Sequence, residues 1–538
     1  MSKAKWLVIF ILALAVTIPA QAVELSLGGF PSFMRTRART MKNATFINAL
    51  SNEQARSLGL DNGNDEITIV DTTLRLTPQL VLSDAVTIRA QVDVMRNNLW
   101  GGLTSSGFGA SGGNGAVGGA LTADDSLRGS ILLGPSAVDT GQEEQNFFNV
   151  RMLHADIVLP NGLGFIRVGR QPFDWGLGSW ANGGWDPHSD LGFLPERFLW
   201  LKSWPVGSWT FTQVFVSDLV ASGNSLVNGS GKAFDIAAGA TILNGNIGGV
   251  NTTIGGFYFP WFQQDNIALA TTVGNNPAVA PSNGFFDVDR IGLYSVYLDL
   301  KGESWRFAYE VDMQEGSIEN FGGDGGATVD IDYQWEMVGR FEYYPSAHAV
   351  PIIALEGGWS QGQSQDDFAN GALGGNIVPM SPAYNLDNLL FKHIIPTIYN
   401  QESSVQNAYY AKLSTNIKFA DDWSFAPMVL AAWTDETNTF IGDPTAGGAG
   451  LPLIPTSEEV DDFLGVEVEG VLTWHMYPGV DIDLIGSVIF AGDGLTDLLE
   501  EQARIVIGDD DRNTSASRTP WTVQGRMIIY IDDFFKGE

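Results

Sequence analysis

The stretch from Asp71 to Arg96, DTTLRLTPQLVLSDAVTIRAQVDVMR, carries two alternating patterns joined by a short polar turn. On both sides of Ser83-Asp84-Ala85, apolar residues occupy every second position and mostly polar residues occupy the positions between. Period-two alternation gives a β-strand one apolar and one polar face. The stretch therefore predicts an antiparallel hairpin with one face suited to an apolar medium and the other to water.

The charges within this hairpin predict its register. Setting Leu82 opposite Val86 places Arg75 opposite Asp93, so that opposite charges meet on the polar face. The same register places Gln79 opposite Arg89. Each strand has about ten residues, the length with which a tilted strand crosses a bilayer. A hairpin of a soluble sandwich is the alternative at this point.

The first residues, 1–22, read MSKAKWLVIFILALAVTIPAQA and predict a cleaved secretory signal peptide. They combine a basic start, an apolar core too short for a spanning helix and a small-residue cleavage site ending at Ala22. Residues 23–538 are then predicted to form a single transmembrane β-barrel domain. The chain has no cysteine, which excludes disulfides and thiolate metal sites. Its net charge of −33 argues against a nucleic-acid partner.

Connection lengths along the chain alternate between short and long, which a soluble sandwich does not do systematically. One opening strand from Val23 to Arg39, eight hairpins and a closing strand over residues 520–535 give roughly 18 strands, an even number. Trp and Tyr recur near the strand ends, as in interfacial aromatic girdles. The pattern predicts an all-β fold: a closed antiparallel barrel with short periplasmic turns and long external loops. The short turns are predicted at residues 83–85, 160–163, 205–208, 244–246, 301–304, 345–348, 420–422 and 478–479.

Two segments carry a resemblance to known barrels. Residues 164–178, GFIRVGRQPFDWGLG, resemble the Gly-Arg-Gln and Trp-Gly-Leu-Gly elements of alginate-export-type and related substrate-specific porins of Gram-negative bacteria. Residues 464–470, LGVEVEG, are similar to a late segment of the same barrels. The resemblance implies an outer-membrane porin-like barrel. It would be surrounded by lipid and lipopolysaccharide and inserted by the barrel-insertion machinery.

Charged residues with the polar parity are the candidate pore-lining groups, and the two signs separate along the chain. Bases concentrate in the early strands and acids in the later ones, so opposite walls of a closed barrel are expected to carry opposite charge. The acidic excess predicts a preference for cations. The basic candidates are Arg35, Arg37, Arg39, Arg75, Arg89 and Arg167; the acidic candidates are Glu310, Asp312, Glu336, Glu342, Glu356, Glu467, Glu469, Asp481 and Asp483.

No sequence motif indicates a catalytic site or a cofactor, and the five histidines stand outside any catalytic pattern. Asp186 and Asp190 are weak candidates for a metal site, against the simpler interpretation of a polar turn. Ca²⁺ or Mg²⁺ at acidic external loops, bridging to lipopolysaccharide phosphates, is a further hypothesis. Those loops contain Glu143-Glu144, Asp366-Asp367, Glu458-Glu459, Asp461-Asp462 and Asp509-Asp510-Asp511.

The leading functional hypothesis is an outer-membrane channel for passive or substrate-selective diffusion of small solutes. An export channel or sheath for a polymer or a periplasmic redox partner is the second, and a hydrolase embedded in the barrel wall is the third. A long loop is expected to narrow the pore, either the Gly-rich residues 97–145 or the Trp-rich residues 173–195. The solute, the constricting loop and a homo-oligomeric state stay open at this point.

Overall fold

The computed structural model describes most of the chain after the predicted signal peptide, which lies outside the described residues. The described residues are 24–27, 30–43, 66–99, 149–189, 192, 194–219, 238–268, 285–321, 327–344, 352–366, 372–373, 380–381, 383–399, 404–442, 453–507 and 519–535.

One antiparallel sheet forms the wall and closes on itself, because the second strand pairs with the third on one side and with the last on the other. Its strands make an 18-stranded barrel, as the sequence predicts. In chain order the first twelve are β1 (Glu24–Leu27), β2 (Phe33–Lys42), β3 (Glu66–Leu76), β4 (Pro78–Ser83), β5 (Val86–Leu99), β6 (Asn149–Val158), β7 (Phe165–Arg170), β8 (Glu196–Val206), β9 (Trp209–Leu219), β10 (Ala238–Ile247), β11 (Val250–Ala268) and β12 (Phe285–Lys301). They are followed by β13 (Trp305–Phe321), β14 (Ala327–Tyr343), β15 (Ile352–Ser360), β16 (Ala372–Leu373), β17 (Ala408–Ala420), β18 (Trp423–Thr434), β19 (Phe440–Gly442), β20 (Leu453–Pro455), β21 (Phe463–Tyr477), β22 (Val480–Ala491) and β23 (Trp521–Tyr530).

The first two wall strands are each built from two pieces. β1 pairs with β4 and β2 pairs with β3, and the breaks between the pieces lie side by side. There the Ser32 hydroxyl lies 2.7 Å from that of Thr77 and accepts the Thr77 backbone N–H at 3.0 Å. These bonds satisfy backbone groups that have no partner in the interrupted strand ladder. The short β16 adds in parallel to β14, and β19 pairs with β20 outside the wall.

The register predicted for the first hairpin is confirmed. Arg75 lies opposite Asp93 and Gln79 lies opposite Arg89. Only the turn differs, because a bulge places Ser83, rather than Leu82, opposite Val86. The charge pairs on the inner face and the apolar outer face together specify this register, since a one-residue slip would reverse every side chain.

Two predicted hairpin details are wrong. The turn expected at residues 244–246 forms instead at Gly248-Gly249, whose positive φ values of 58° and 90° suit a two-residue hairpin turn. Pairing Leu300 with Trp305 across the turn at residues 301–304 predicts Asp299 opposite Arg306, but Asp299 lies opposite Ala308. The ladder is shifted because the β12–β13 turn uses three residues, 302–304, and the two charges meet diagonally instead.

The closing strand also ends earlier than predicted. β23 stops at Tyr530, and helix α3 (Ile531–Phe535) follows it. The Ile531 N–H donates to the Ser32 carbonyl, and the Asp532 carboxylate accepts the Ser32 N–H at 2.7 Å. The last described residues thereby fasten to the break in the first wall strand instead of extending the wall.

The barrel wall has an apolar outer face and a polar inner face. Large apolar side chains are exposed on the outer face of many strands, with alternate positions pointing inward and buried. Examples of the exposed set are Val168, Phe198, Phe215, Val296, Leu355, Leu413, Val429, Val468, Leu484 and Val523. The buried apolar core therefore lies inside the barrel, where chain segments between the strands fill part of the lumen.

Helical segments supply much of this interior packing. A π-helical turn (Leu390–Ile394) continues into helix α1 (Ile395–Tyr399), and helix α2 (Asp493–Ile507) follows β22. The buried positions of α2 include Leu495, Leu498, Leu499 and Ala503, which lie on one helical face. Within the described ranges, no helix has the length and apolarity needed to cross a membrane.

Candidate functional site inside the barrel

Residues 171–189, here called the Trp-rich segment, fold into the barrel between β7 and β8. Its Trp175 indole donates to the Ser295 hydroxyl on β12 at 2.7 Å, and the ring packs against Phe257 on β11. Phe173 and Trp180 contact the same Phe257. An apolar cluster against the inner faces of β9 to β12 therefore holds the segment inside, as predicted for one of the two candidate loops.

The Trp-rich segment bridges the basic and acidic sides of the lumen. On the basic side, Arg35 donates to the Pro187 carbonyl at 2.6 Å, and Arg75 and Arg151 both donate to the Gly184 carbonyl. On the acidic side, the Leu177 N–H donates to Glu310 at 2.5 Å, and the Ser179 hydroxyl donates to Asp312 at 3.3 Å. Side chains of opposite sign thus anchor one loop across the pore.

A second chain segment, residues 380–399 and here called the plug segment, also lies inside the barrel. Most of its apolar residues are fully buried, in a cluster with inward side chains from β2, β14, β17, β18, β21 and β22. The Ser381 N–H donates to the Ser179 carbonyl at 2.6 Å, which joins the plug segment to the Trp-rich segment. This constriction was not predicted from the sequence. The other candidate loop, 97–145, lies almost wholly outside the described residues.

Polar contacts fix the plug segment to the acidic side of the lumen. The Leu390 N–H donates to Glu467 at 2.9 Å, and the Tyr384 hydroxyl donates to Glu356 at 2.7 Å. Lys412 on β17 donates to the Leu386 carbonyl at 2.6 Å.

Asp387 stabilises the start of the π-helical turn, since it accepts the N–H groups of Phe391 and Lys392 at 2.8 and 3.0 Å. Burial raises the pKa of Asp387 to about 6, although those N–H groups and the charge of Lys412 act to lower it. The plug segment therefore contains a carboxyl group that titrates near neutral pH.

Buried arginines on the basic side of the lumen are paired with carboxylates from neighbouring strands. Asp71, on β3, binds Arg37 at 3.0 Å and Arg39 at 3.2 Å, and Asp93 binds Arg75 at 2.7 Å. All five side chains are almost completely buried. Buried charges are tolerated when they are paired and hydrogen-bonded in this way.

The other basic candidates are paired in the same manner. Asp156, on β6, binds both Arg89 at 3.0 Å and Arg167 at 2.6 Å. Asp483 on β22 binds Arg526 on β23 at 2.8 Å. The acids that complete this network, Asp71 and Asp156 above all, were missed in the sequence. The parity of Asp156 in β6 offered the signal, because it lies opposite Arg167 once the hairpin is paired.

Apart from Asp481 and Asp483, the later acidic candidates fall into three groups. Glu342 and Glu356 share Arg340, with N–O distances of 2.9 and 3.6 Å. Asp481 lies near the β21–β22 turn and binds His475 at 2.7 Å, so it lies at the rim. Glu467 and Glu469 lie beside the plug segment, and Glu467 also accepts the Ser487 hydroxyl.

Glu310, Asp312 and Glu336 form the third group, on the inner faces of β13 and β14. Asp312 lies directly opposite Glu336, and Glu310 lies two residues away on the same face. Within the described part of the chain, none of these three carboxylates forms an ion pair. This group, here called the carboxylate cluster, therefore differs from the paired charges of the basic side.

Asp186, the described one of the two candidate metal ligands, lies in a turn. Asp186 is half exposed and accepts the His188 N–H at 2.7 Å, which is an ordinary turn contact, and Asp190 lies outside the described residues. In the described ranges, no group of three or more His, Asp or Glu side chains is arranged to hold a metal ion.

The fold and the interior define the class of this protein as a closed 18-stranded antiparallel barrel with a charged, partly filled lumen. No family model and no curated protein sequence matches the chain.

Several solved structures have a similar chain course. OccK11 (OpdR) of Pseudomonas aeruginosa has a TM-score of 0.41 at 7% identity, with 94% of this chain and 97% of that chain covered. An anion-selective porin from Comamonas acidovorans has a TM-score of 0.37 at 9% identity, covering 94% and 99%. OmpT, an outer membrane protein of Vibrio cholerae, has a TM-score of 0.34 at 8% identity, covering 95% and 99%. Such values say nothing about the solute, the selectivity or the oligomeric state of this chain.

Proposed function

We propose that this protein is a channel for the diffusion of small solutes across the outer membrane of a Gram-negative bacterium. The observation that carries the proposal is the closed wall, apolar outside and charged inside, since only a closed barrel satisfies every strand's backbone groups within lipid. Lipid and lipopolysaccharide would surround the barrel, and insertion machinery would assemble it there. Association of several copies is compatible with this proposal.

The two inward segments make the proposed channel selective rather than wide. The Trp-rich segment contacts opposite sides of the lumen, and the plug segment packs against six strands. An 18-stranded barrel without such segments would leave an open aqueous pore. Permeation is therefore expected through a narrow remaining path, where wall charges act at short range.

The proposed channel should prefer cations to anions. Arg37, Arg39 and Arg75 of the basic side already have carboxylate partners, whereas the carboxylate cluster has no cationic partner among the described residues. The excess field in the lumen should therefore be negative, and acidic rings favour cation passage. Passage of dipolar solutes between the two sides would use the same charge separation.

The test is planar-bilayer recording of the purified protein in a KCl gradient at low salt, where screening is weak. Discrete conductance steps with a reversal potential favouring K⁺ are expected. Glu467→Gln with Glu469→Gln should reduce the preference, and Arg35→Gln with Arg37→Gln should increase it. Absence of conductance would contradict the channel itself, whereas anion preference would contradict only its proposed selectivity.

The export sheath and the barrel-wall hydrolase are less well supported. A sheath requires a wide open bore, and the two inward segments occupy much of it. For a hydrolase, the histidines are the natural bases. His154 lies beside Asp156 at 3.5 Å within an arginine-rich network, and no serine hydroxyl bonded to it is described. The test is a hydrolysis assay of the wild type and of His154→Ala. Activity in the wild type that His154→Ala abolishes would support the hydrolase.

A further inference from the structure

The three side chains of the carboxylate cluster are almost completely buried. Glu310, Asp312 and Glu336 are 0%, 2% and 4% exposed, and Gln314 next to them is 3% exposed. An ionised carboxylate in such surroundings is costly unless a positive charge or several hydrogen bonds compensate it. The Trp-rich segment supplies hydrogen bonds from Leu177 to Glu310 and from Ser179 to Asp312, but no positive charge.

Several polar atoms of this region have no hydrogen-bond partner. They are Asp312 Oδ1, Glu336 Oε1, Glu310 Oε1 and both amide atoms of Gln314. Native proteins rarely leave buried polar atoms unsatisfied, and each case calls for a water, an ion or a functional reason. A buried carboxylate can become neutral by taking up a proton, but an amide cannot change its charge in this way. The unsatisfied amide of Gln314 therefore points to a bound species independently of the carboxylates.

All of these residues except Glu310 line a small cavity. Asp312, Gln314, Gln334, Glu336, Ser360 and Trp180 are among its lining residues, and its volume is about 10 Å³. That is roughly the room needed for one water-sized species. An ion fits such a space, whereas an organic solute does not.

We propose that Asp312, Glu336 and Gln314 bind a small hard cation, with Ca²⁺ as the preferred ion, between β13, β14 and the Trp-rich segment. The donors are carboxylate and amide oxygens, the ligand types that Ca²⁺ takes, and Gln334 and Ser360 line the same cavity and offer further oxygens. Two facing carboxylates favour a divalent over a monovalent ion because they bring two negative charges to one position.

The bound cation would fasten the Trp-rich segment to the acidic side of the lumen. Ser179 already donates to Asp312, so neutralising that carboxylate pair stabilises the place where the segment meets the wall. This role deepens the proposed channel function and rests on it. The binding itself does not, because it can be measured without any permeation.

The experiment measures the unfolding temperature of the metal-stripped, detergent-purified full chain with CaCl2, and with NaCl at equal ionic strength. The wild type should gain about 2–5 °C from Ca²⁺, saturably. Asp312→Asn and Glu336→Gln should lose that gain. Glu342→Gln should keep it, since Glu342 on the same strand already binds Arg340 at 2.9 Å.

A second measurement uses Tb³⁺ in place of Ca²⁺ and reads its luminescence under tryptophan excitation. Trp180 and Trp335 both line the cavity, so Trp180→Phe with Trp335→Phe should remove most of the sensitised emission, and Ca²⁺ should displace the ion. This arm decides the question even if a carboxylate variant folds poorly.

No Ca²⁺-specific gain in the wild type, or an equal gain in Asp312→Asn and Glu336→Gln, overturns the proposal. Tb³⁺ emission that Na⁺ displaces as effectively as Ca²⁺ overturns it too. Binding without conductance would keep this site and contradict the channel, while conductance without binding would do the reverse.

Discussion

The basic side and the carboxylate cluster are buried to a similar degree, yet their charges are balanced differently. On the basic side Arg75, Arg37 and Arg39 each have a carboxylate within 3.2 Å from a neighbouring strand. In the carboxylate cluster, Asp312 faces another acid, Glu336. In the first arrangement the charges pair within the wall, so they serve the wall. The second has no balancing cation among the described residues, so a cation that enters the lumen can supply one.

This difference changes what a charge-removing substitution should do. Removing one member of a buried pair leaves the other charge uncompensated, which costs more than the pair contributes. Removing a carboxylate that already lacks a cation relieves a cost instead. The two regions should therefore respond with opposite signs to the same kind of change.

Arg75→Met should produce the largest loss, about 3–5 kcal/mol of unfolding free energy, because it leaves Asp93 buried and charged. The neutral double variant Arg75→Met with Asp93→Leu should recover most of that loss. Denaturant titration of the purified barrel measures both. Glu336→Gln, in metal-free buffer, should be neutral or stabilising. A loss for Glu336→Gln as large as that for Arg75→Met would remove the distinction between the regions.

The stability of the plug segment should depend on pH through Asp387. Because burial raises its pKa in the folded state to about 6 from 3.8, the folded plug segment binds the proton more tightly than the unfolded chain does. The stabilisation that this proton binding gives the folded state is fully present below about pH 4 and is lost as the pH rises through about 6. The change is roughly 3 kcal/mol of unfolding free energy. Glu467, Lys412 and Lys392 also face this carboxyl group.

Hydrogen exchange of peptides from residues 380–399, corrected for the intrinsic rate at each pH, measures this effect. Protection should fall between pH 4 and pH 7 in the wild type. Asp387→Asn should flatten that profile, because an amide does not titrate. A profile of the same slope in both proteins would show that other groups control the plug segment.

Lys412 offers a smaller effect at the same place. Its ammonium group donates to the Leu386 carbonyl at 2.6 Å, and a hydrogen bond from a charged group is worth about 1.5–3 kcal/mol. Lys412→Met should loosen the plug segment and raise the mean single-channel conductance. Lys418→Met, at an exposed position of the same strand, is the matched control and should leave conductance unchanged. Equal conductance in both variants would mean that the plug segment does not limit permeation.

The wall could be predicted from the sequence because local rules determine it. Period-two alternation, turn residues and charge pairs such as Arg75 with Asp93 act between neighbours in one hairpin, where spacing along the chain fixes the geometry. The prediction of the 244–246 turn failed because two turn signals, Asn244-Gly245-Asn246 and Gly248-Gly249, compete within six residues. Only pairing with β9 and β11 decides between them.

The interior could not be predicted in the same way. The two inward segments meet wall residues far from them along the chain, 133 positions away for Leu177 and Glu310 and 77 for Leu390 and Glu467. The exception is α2, whose Leu495, Leu498 and Leu499 repeat at helical spacing and were a readable signal. Which acids stay unpaired also depends on strand neighbours, so the carboxylate cluster emerges only when the barrel is closed.

The smallest effect is expected at a charge pair that is not buried. Arg306 binds Asp299 at 3.0 Å, but their side chains are 29% and 21% exposed, against 2% and 0% for Arg75 and Asp93. Water screens such a pair and compensates either partner when it is left alone, so exposed pairs contribute about 0.2–1 kcal/mol.

Arg306→Met should therefore cost less than about 1 kcal/mol in the denaturant titration used for Arg75→Met, a difference that follows from burial alone. Added salt should shrink the Arg306→Met effect further and leave the Arg75→Met effect nearly unchanged, since only the exposed pair is screened. Comparable losses for the two variants at any salt concentration would mean that burial does not set the cost of breaking a pair in this lumen.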